Sequence, residues 1–592
     1  MKRVLSAAAF AAALLASAPA FASATGDLDS LMKDYDEQIL TLYPSAALYR
    51  GDPRYLDRYE DNLTPEFLAK ARALSAEDTA RLKAIDRGKL DYQNQLSYDI
   101  FAWTMEDQKE GLALAETFNM LPLDQFNAVH ESFAREMQWR SKFPFNTAAD
   151  YEKAIKRMAG FAHWIDTAIA QMREGIAKGV VQPRFMVERM IVQADELAAK
   201  APDDDVLMGP VKNMPETIKG KTRARVTAAY RNAVMKTVVP AYQRLAAFLK
   251  NEYLPKARDS VGISAIPGGK DIYLYLVKSH TTTDMTPEQI HQFGLKEVAR
   301  DLKDMEKVKN EAGFKGTLDE FRAYLRSDPK FKFKDADAMK ADFERIKAQT
   351  AQDIARLFGH TPKTPFEIRP FEAFVAPTKA AAEYNPPSAD GSRPGIFYFN
   401  TYDLPSRPNY TTEVLELHEA VPGHHFQIAI AIENKSLPEF RRFGGTTAYI
   451  EGWGLYSESL GKDLGFYTDP YQKFGMLSFD IWRACRLVVD TGMHWMGWSR
   501  ERAIDYMLAN TSLTKTDVTA EVERYIAIPG QALGYKIGQR KWFELRDHAK
   551  GALGRKFDIR RFHDEALKDG AMPLSILDAK MERWIQTEKT GS

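Results

Sequence analysis

The sequence predicts a mainly α-helical protein with one small β-element, set just before a helix that carries a metal-binding motif. Three observations point there. Apolar residues recur at three- and four-residue intervals over most of the 592 residues. Aromatic and β-branched residues concentrate in one stretch, from Phe366 to Asn400. Three of the 11 histidines fall inside the nine-residue segment Leu417–His425.

At the N-terminus, Lys2 and Arg3 precede an Ala/Leu-rich apolar run from Val4 to Pro19, with small residues allowing cleavage after Ala22 or Ala24. Residues 1–24 are therefore expected to be a signal peptide, and the mature chain periplasmic or secreted. No Cys follows the run, which argues against a lipid anchor, and no other segment approaches the ~18 uninterrupted apolar residues of a membrane span. Residues 25–265 read as a helical N-terminal region. Its clearest helices are Tyr151–Arg173, Val180–Ala198 and Thr222–Asn251, with loops at Gly51-Asp52-Pro53, Pro144-Phe145-Asn146 and Lys200–Asp205. Pro267-Gly268-Gly269 closes it, and residues 266–592 are expected to form the catalytic region.

Within that second region, Asp271–Val277 alternates aromatic and aliphatic residues and reads as a short strand. Thr286-Pro287 reads as a helix start, a Thr cap before a Pro in the first turn. Helices are expected to continue through Leu357. Phe366–Val375 and Gly395–Asn400 are strand candidates, separated by a Pro/Ser/Gly-rich stretch, Tyr384–Arg393. Thr411-Thr412-Glu413 starts the helix that carries His418, and helices resume beyond Phe440 to the C-terminus.

Composition bounds the function. Hydrophobic residues at 45% and charged residues at 27% are ordinary for a globular protein, and the length suggests two or more domains. Lys plus Arg equals Asp plus Glu, 81 against 81, so no basic surplus points to nucleic acid or an anionic membrane surface. Cys485 is the single cysteine, which rules out an intramolecular disulfide and reads as a small buried hydrophobe. No feature of the sequence speaks to the oligomeric state.

The segment Leu417-His418-Glu419-Ala420-Val421-Pro422-Gly423-His424-His425 resembles the H-E-x-x-H zinc motif, with a difference in spacing. Position four after His418 is Pro422, and the next histidines lie six and seven residues on. On an unbroken helix, residues six apart sit about 120° apart, and residues seven apart about 10.5 Å along the axis. Zn–N bonds of about 2 Å cannot span either arrangement. Pro422 and Gly423 must therefore break the helix: Pro422 has no N–H to give, and Gly423 can adopt φ > 0. The break would return His424 to the second ligand position, with His425 as the alternative. Glu419 is placed to act as general base.

A third ligand is expected on a nearby helix, in Tyr449–Glu458. Glu451 and Glu458 share one face there, Glu451 as ligand and Glu458 as the carboxylate that orients a histidine. Arg486, Asp490 and His494 are spaced four apart and are expected to form a hydrogen-bonded chain that brings His494 toward the site, unless they make an ordinary intrahelical pair. Tyr535, after the Pro529-Gly530 break, could donate to a developing oxyanion.

Together, L-H-E-A-V-P-G-H-H-F-Q, E-G-W-G-L-Y-S-E, D-T-G-M-H and I-P-G-Q-A-L-G-Y resemble the bacterial family known as domain of unknown function 885, from Asp27 to the last helix. The P-G-H-H form is specific to it. That family is grouped with the gluzincin metallopeptidases, and the order of motifs resembles their oligopeptidase branch. The resemblance implies a large helical clamshell with a deep channel, His418, His424 and Glu451 as ligands, and Glu419 as base. The match of Tyr535 to a substrate-binding Tyr is loose.

The expectation is an exported peptidase with one Zn2+ that hydrolyses short peptides, with strand Gly395–Asn400 holding the substrate by edge pairing. The alternatives are a zinc amidohydrolase acting on a non-peptide or cell-wall amide, and a helical binding protein with a dead site.

Overall fold

A computed structural model describes residues 24–591, except 140, 200–205, 372–375, 377–379, 390 and 392. The expected signal peptide, the Lys200–Asp205 loop and the end of the Phe366–Val375 segment fall largely or wholly outside the described residues. Ala24 is the first described residue and opens the helix Ala24–Leu42.

Helices dominate. The N-terminal set includes Pro65–Ala84, Tyr92–Asn119, Ala148–Lys178 and Arg184–Ala199, followed by a run from Gly220 to Tyr253 that carries two π-turns. Local chemistry starts several of them. Thr147 and Thr286 each cap a helix through reciprocal bonds with the residue three on, Asp150 and Gln289. The helix Pro287–Glu311 begins where Thr286-Pro287 predicts it.

Asp271–Val277 is a correction. It lies in the helix Gly269–Thr281, whose buried residues are Gly269, Ile272, Tyr273, Val277 and Thr281. Their steps of three, one, four and four follow a helix. The tyrosines at 273 and 275 mimic the period of two of a strand, but a strand would put both on one face, whereas only Tyr273 is buried.

The β-element is a three-stranded sheet in the order β1-β3-β2. β1 is Phe366–Pro370, β2 is Ala382–Asn385 and β3 is Gly395–Phe399. β3 pairs parallel to β1 and antiparallel to β2. It is therefore the central strand, with both edges already paired, and this corrects the expectation that it holds a peptide by edge pairing. Its apolar run fits burial on both faces: four of its five residues are buried.

The apolar core forms three large clusters. One lies within residues 48–257. Another joins N-terminal residues such as Leu28, Leu31 and Phe101 to Trp453, Trp542 and Ile585, so the first helices pack with the C-terminal half. The third surrounds the long helix Pro470–His494 and contains Cys485, which is buried and free.

Glycines set the closest helix approaches. A Cβ on Gly452 would lie 2.4 Å from the Cα of Gly538, and one on Gly538 would lie 1.9 Å from the Ala448 carbonyl oxygen. The helices Thr447–Ser459 and Leu533–Leu553 thus pack backbone to backbone, which sets Tyr535 beside the motif. Among the described residues, no helix is long and apolar enough to cross a membrane.

Candidate metal centre

The helix Thr412–Glu419 stops one residue after His418, and a new helix, His424–Glu433, starts at His424. Between them the Val421-Pro422 peptide is cis, and the Phe426 N–H reaches back six residues to the Ala420 carbonyl at 3.2 Å. Gly423 differs from expectation. Its φ is −76°, so no left-handed conformation is needed. It is required for space: an added Cβ would lie 1.8 Å from the His418 carbonyl oxygen and 2.4 Å from that of Leu417.

The helix Thr447–Ser459 buttresses this break. Trp453 Nε1 donates to the Pro422 carbonyl at 2.8 Å, and Ser457 Oγ donates to the Leu417 carbonyl at 2.8 Å. Gly454 makes room for the first imidazole, since a Cβ there would sit 2.8 Å from His418 Cε1. The E-G-W-G-L-Y-S-E segment thus supplies carboxylates, clearance and two clamps on the break from one helix.

Glu451, on the same helix, completes a group. One ligand atom from each of His418, His424 and Glu451 lies within 4.8 Å of the others, and this is the group of metal-ligand type found among the described residues. Glu451 Oε2 is 3.3 Å from His424 Nε2 and 3.7 Å from His418 Nε2. The two imidazoles meet edge to face with centroids 4.7 Å apart. His418 Nδ1 donates to Glu458 Oε1 at 2.8 Å, which fixes the tautomer and leaves Nε2 facing Glu451.

His425 turns away. Its Nδ1 accepts from the Tyr384 hydroxyl at 2.9 Å, and its Nε2 donates to the Thr364 carbonyl at 3.1 Å. Its ring packs on Phe366. It therefore ties the second motif helix to the sheet.

The electrostatics suit a cation. Burial pushes Glu451 up, but the two imidazoles outweigh it and hold its carboxyl well below the usual range. Burial pushes His418 down, yet Glu451 and Glu458 raise it to about 9. A divalent ion could satisfy such a site. Glu451 Oε2 and His424 Nδ1 are buried and have no hydrogen-bond partner. Two neutral-capable imidazoles and one carboxylate are the donor set of a catalytic zinc site with an open position.

Glu419 ends the first motif helix and is half-buried. Burial raises its carboxyl, partly offset by His418 and His424. Tyr535 is 7% exposed, and its ring lies nearly parallel to that of His418, centroids 6.5 Å apart. Glu451, Glu458, Glu419 and Tyr535 thus all lie at the motif.

His494 does not, and the expected relay is corrected. His494 Nδ1 accepts from the Ile263 N–H at 3.0 Å, and its Nε2 donates to the Tyr525 carbonyl at 3.0 Å, so no ring nitrogen remains for chemistry. Asp490 accepts from the Tyr273 hydroxyl at 2.7 Å and from the Gly530 N–H at 3.1 Å. Arg486 pairs with Glu521 at 3.1 Å. The three residues share a helix but serve three different neighbours.

Sequence reasoning missed several residues. Glu416 is 0% exposed, with neither carboxyl oxygen partnered, and burial pushes its carboxyl well up. The clamping roles of Trp453 and Ser457 were equally hidden. Their signal was present in the motif itself, where polar atoms sit among residues that would otherwise be purely apolar.

A cleft of about 1100 Å3 lies elsewhere and is lined by residues such as Asp29, Arg54, Asn94 and Arg441. Its arginines are already paired, Arg54 with Glu37 and Asp52, and Arg441 with Asp569.

This is a mainly helical protein with a candidate metal centre built at a helix break. The chain belongs to the family described as bacterial protein of unknown function (DUF885), whose model matches residues 44–581. Its fold is similar to that of a crystal structure from Colwellia psychrerythraea, of a protein described as a "putative lipoprotein", with a TM-score of 0.90 and 29% identity, covering 95% of this chain and 100% of that one. A similarly described protein of unknown function from Shewanella oneidensis shares the fold at a TM-score of 0.72 and 18% identity, covering 94% and 99%. No curated protein matches the chain.

Proposed function

We propose that this protein is a zinc-dependent metallopeptidase acting on short peptides. The observation that carries the proposal is the convergence of His418, His424 and Glu451 within 4.8 Å, beside a half-buried Glu419 that has no ligand role in the group. When bound, zinc would supply a water acidic enough to react near neutral pH and would polarise the scissile carbonyl.

The protein's own groups supply the rest. Glu458 holds His418 in the tautomer that presents Nε2. Glu419 accepts the proton of the attacking water and passes it to the leaving amine. Its raised carboxyl brings its basicity closer to neutral pH. The Tyr535 hydroxyl donates to the oxygen that gains charge. Peptide pairing, if it uses the sheet, falls to an edge strand. β2 is the edge strand that packs against both motif helices. A gluzincin-type clamshell is the architecture that accompanies this reading.

We place the protein in the exported fraction. Lys2, Arg3 and the apolar run that follows support this, as does the description of both similar structures as lipoproteins. Cysteine-linked lipid attachment does not carry over, because Cys485 is the single cysteine and is buried.

The test combines elemental analysis with turnover of a randomised peptide pool. About one zinc per chain and peptide cleavage are expected in the wild type, with both lost in His418→Ala. Equal zinc in wild type and His418→Ala would rule the reading out.

A further inference from the structure

A second polar cluster adjoins the metal group, and the proposed chemistry leaves it unused. Arg483 and Arg486 lie on the long helix Pro470–His494, and Arg524 on the helix Lys515–Ala527. All three gather near Tyr535. The Arg486 guanidinium carbon is 4.4 Å from the Tyr535 ring centroid, and Arg524 Nη2 donates to the Tyr535 hydroxyl at 3.4 Å.

The opposing carboxylates are shared among several partners. Glu521 accepts from Arg486 at 3.1 Å and from Arg524 at 3.3 Å. Glu458 comes no closer than 4.0 Å to Arg483 and already accepts from His418. The three guanidiniums thus share Glu521 and Glu458, the second of which also serves an imidazole, and Arg483 in addition acts on the Glu419 carboxyl. Aromatic rings cover guanidinium faces: Trp482 lies 4.4 Å from Arg483 and 4.6 Å from Arg486. Their N–H edges are less well served. Arg483 Nε and Arg486 Nη1 are buried and have no hydrogen-bond partner, in side chains of residues only 5% and 2% exposed.

A guanidinium remains charged in a protein interior, and a buried charge without a counter-charge is costly. Its planar edge matches a carboxylate. Arg524 and Glu521 keep the most exposure in the cluster, with side chains 14% and 13% exposed, and Arg524 Nη2 also donates to Gln531 Oε1 at 2.8 Å.

We infer that this cluster binds a carboxylate of the substrate, with Arg524 as its accessible arm and Arg483 and Arg486 as the buried positive field behind it. The inference rests on the metallopeptidase reading and specifies its substrate. Tyr535 neighbours both this cluster and His418, so the carboxylate would lie on the order of one to three extended residues from the scissile amide, at about 3.3–3.6 Å per residue. A free peptide C-terminus and an acidic side chain share this chemistry.

The experiment uses the full chain with matched pentapeptides, each made as C-terminal acid and C-terminal amide, and with Glu or Gln near the scissile bond. Binding is measured calorimetrically to Glu419→Gln, and cleavage with otherwise wild-type protein. About a tenfold or greater preference for the carboxylate form is expected in one of the two arms. A preference in the acid/amide arm identifies the C-terminus, and one in the Glu/Gln arm the side chain. Arg524→Gln should bring the preference close to one while metal content stays at the wild-type level, and Arg524→Lys should keep part of it. Equal binding of both members of both pairs would overturn the inference, as would an Arg524→Gln loss that affects both members alike. If no peptide is cleaved but the binding preference persists, the peptidase reading fails and the carboxylate site stands.

Discussion

The metal group and the Asp490–His494 segment are both buried, both polar and both built from conspicuous motif residues, but they end in different states. Around His494 and Asp490 the main hydrogen-bonding atoms are taken: two backbone groups for the imidazole, a hydroxyl and a backbone N–H for the carboxylate. Around His418, the Nδ1 side is tied to Glu458, while Glu451 Oε2 and His424 Nδ1 lack partners. The first arrangement joins chain segments that are distant in sequence. The second sets Glu451 Oε2, without a hydrogen-bond partner, opposite the Nε2 atoms of His418 and His424, at 3.7 and 3.3 Å. Since leaving a buried polar atom unmatched costs free energy, the unpartnered Glu451 oxygen between two imidazoles supports the proposed metal more strongly than does the presence of His or Asp alone.

Five experiments can break or sharpen this contrast. The largest effect should come from Glu419→Gln, which removes the proposed base and keeps the proposed ligands. Turnover should drop roughly 10²–10⁴-fold with zinc content unchanged, measured by peptide kinetics and elemental analysis. Wild-type turnover in this variant would remove Glu419 from the mechanism.

Next, the two adjacent histidines should separate cleanly. His424→Ala should lower zinc affinity by at least about a hundredfold, because it removes one of the three proposed ligands. His425→Ala should retain the metal and instead lower the melting temperature, since it releases the Tyr384 hydroxyl and the Thr364 carbonyl. The opposite pattern, in a competitive zinc titration, would reverse the assignment.

Asp490→Ala tests the closed cluster. It strands the buried Tyr273 hydroxyl and Gly530 N–H and should cost about 3 kcal/mol in urea unfolding. Zinc content should not change. A loss of metal at equal folded fraction would show that the two clusters are one site.

Glu458→Gln should weaken zinc binding by about 10–100-fold, because an amide holds the His418 tautomer less firmly than a carboxylate does. An unchanged affinity would reduce Glu458 to a packing residue.

The last test concerns pH. Burial raises the Asp490 carboxyl from 3.8 to about 7, so the folded protein holds a proton that the unfolded chain releases between those values. Stability from this group is therefore full below about pH 4 and is lost as pH rises to about 7. The wild-type minus Asp490→Asn difference in urea midpoint should decline over that interval and level off above it. His494, lowered by burial to about 4, contributes in both proteins and cancels. A flat difference would mean that Asp490 is ionised throughout.

Much of the fold was legible because its signals are local. The Thr286 cap with Gln289, the strand Gly395–Phe399 and the helical run Ala148–Lys178 each announce themselves within a few residues. So did the need for a helix break between His418 and His424, which follows from helix geometry alone. The errors came where a local pattern had two solutions. Tyr273 and Tyr275 alternate like a strand, but the core chose the helical spacing of Ile272, Tyr273, Val277 and Thr281. Gly423 read as a residue needed for positive φ, whereas its role is to let two chain segments touch.

The sequence by itself determined the helical class, the place of the β-element, and a histidine-rich helix break with Glu419 beside it, because periodicity, capping and proline chemistry act over a few bonds. Only the tertiary structure decided that β3 is central rather than an edge, that His425 bonds to Tyr384 while His424 faces Glu451, and that His494 is closed off by Ile263 and Tyr525. The physical reason is that hydrogen-bond capacity is settled by partners distant along the chain. His418 and Glu458 are 40 residues apart, and His494 and Ile263 are 231 apart. Which polar atoms remain available for a ligand depends on how all of those partners fold together.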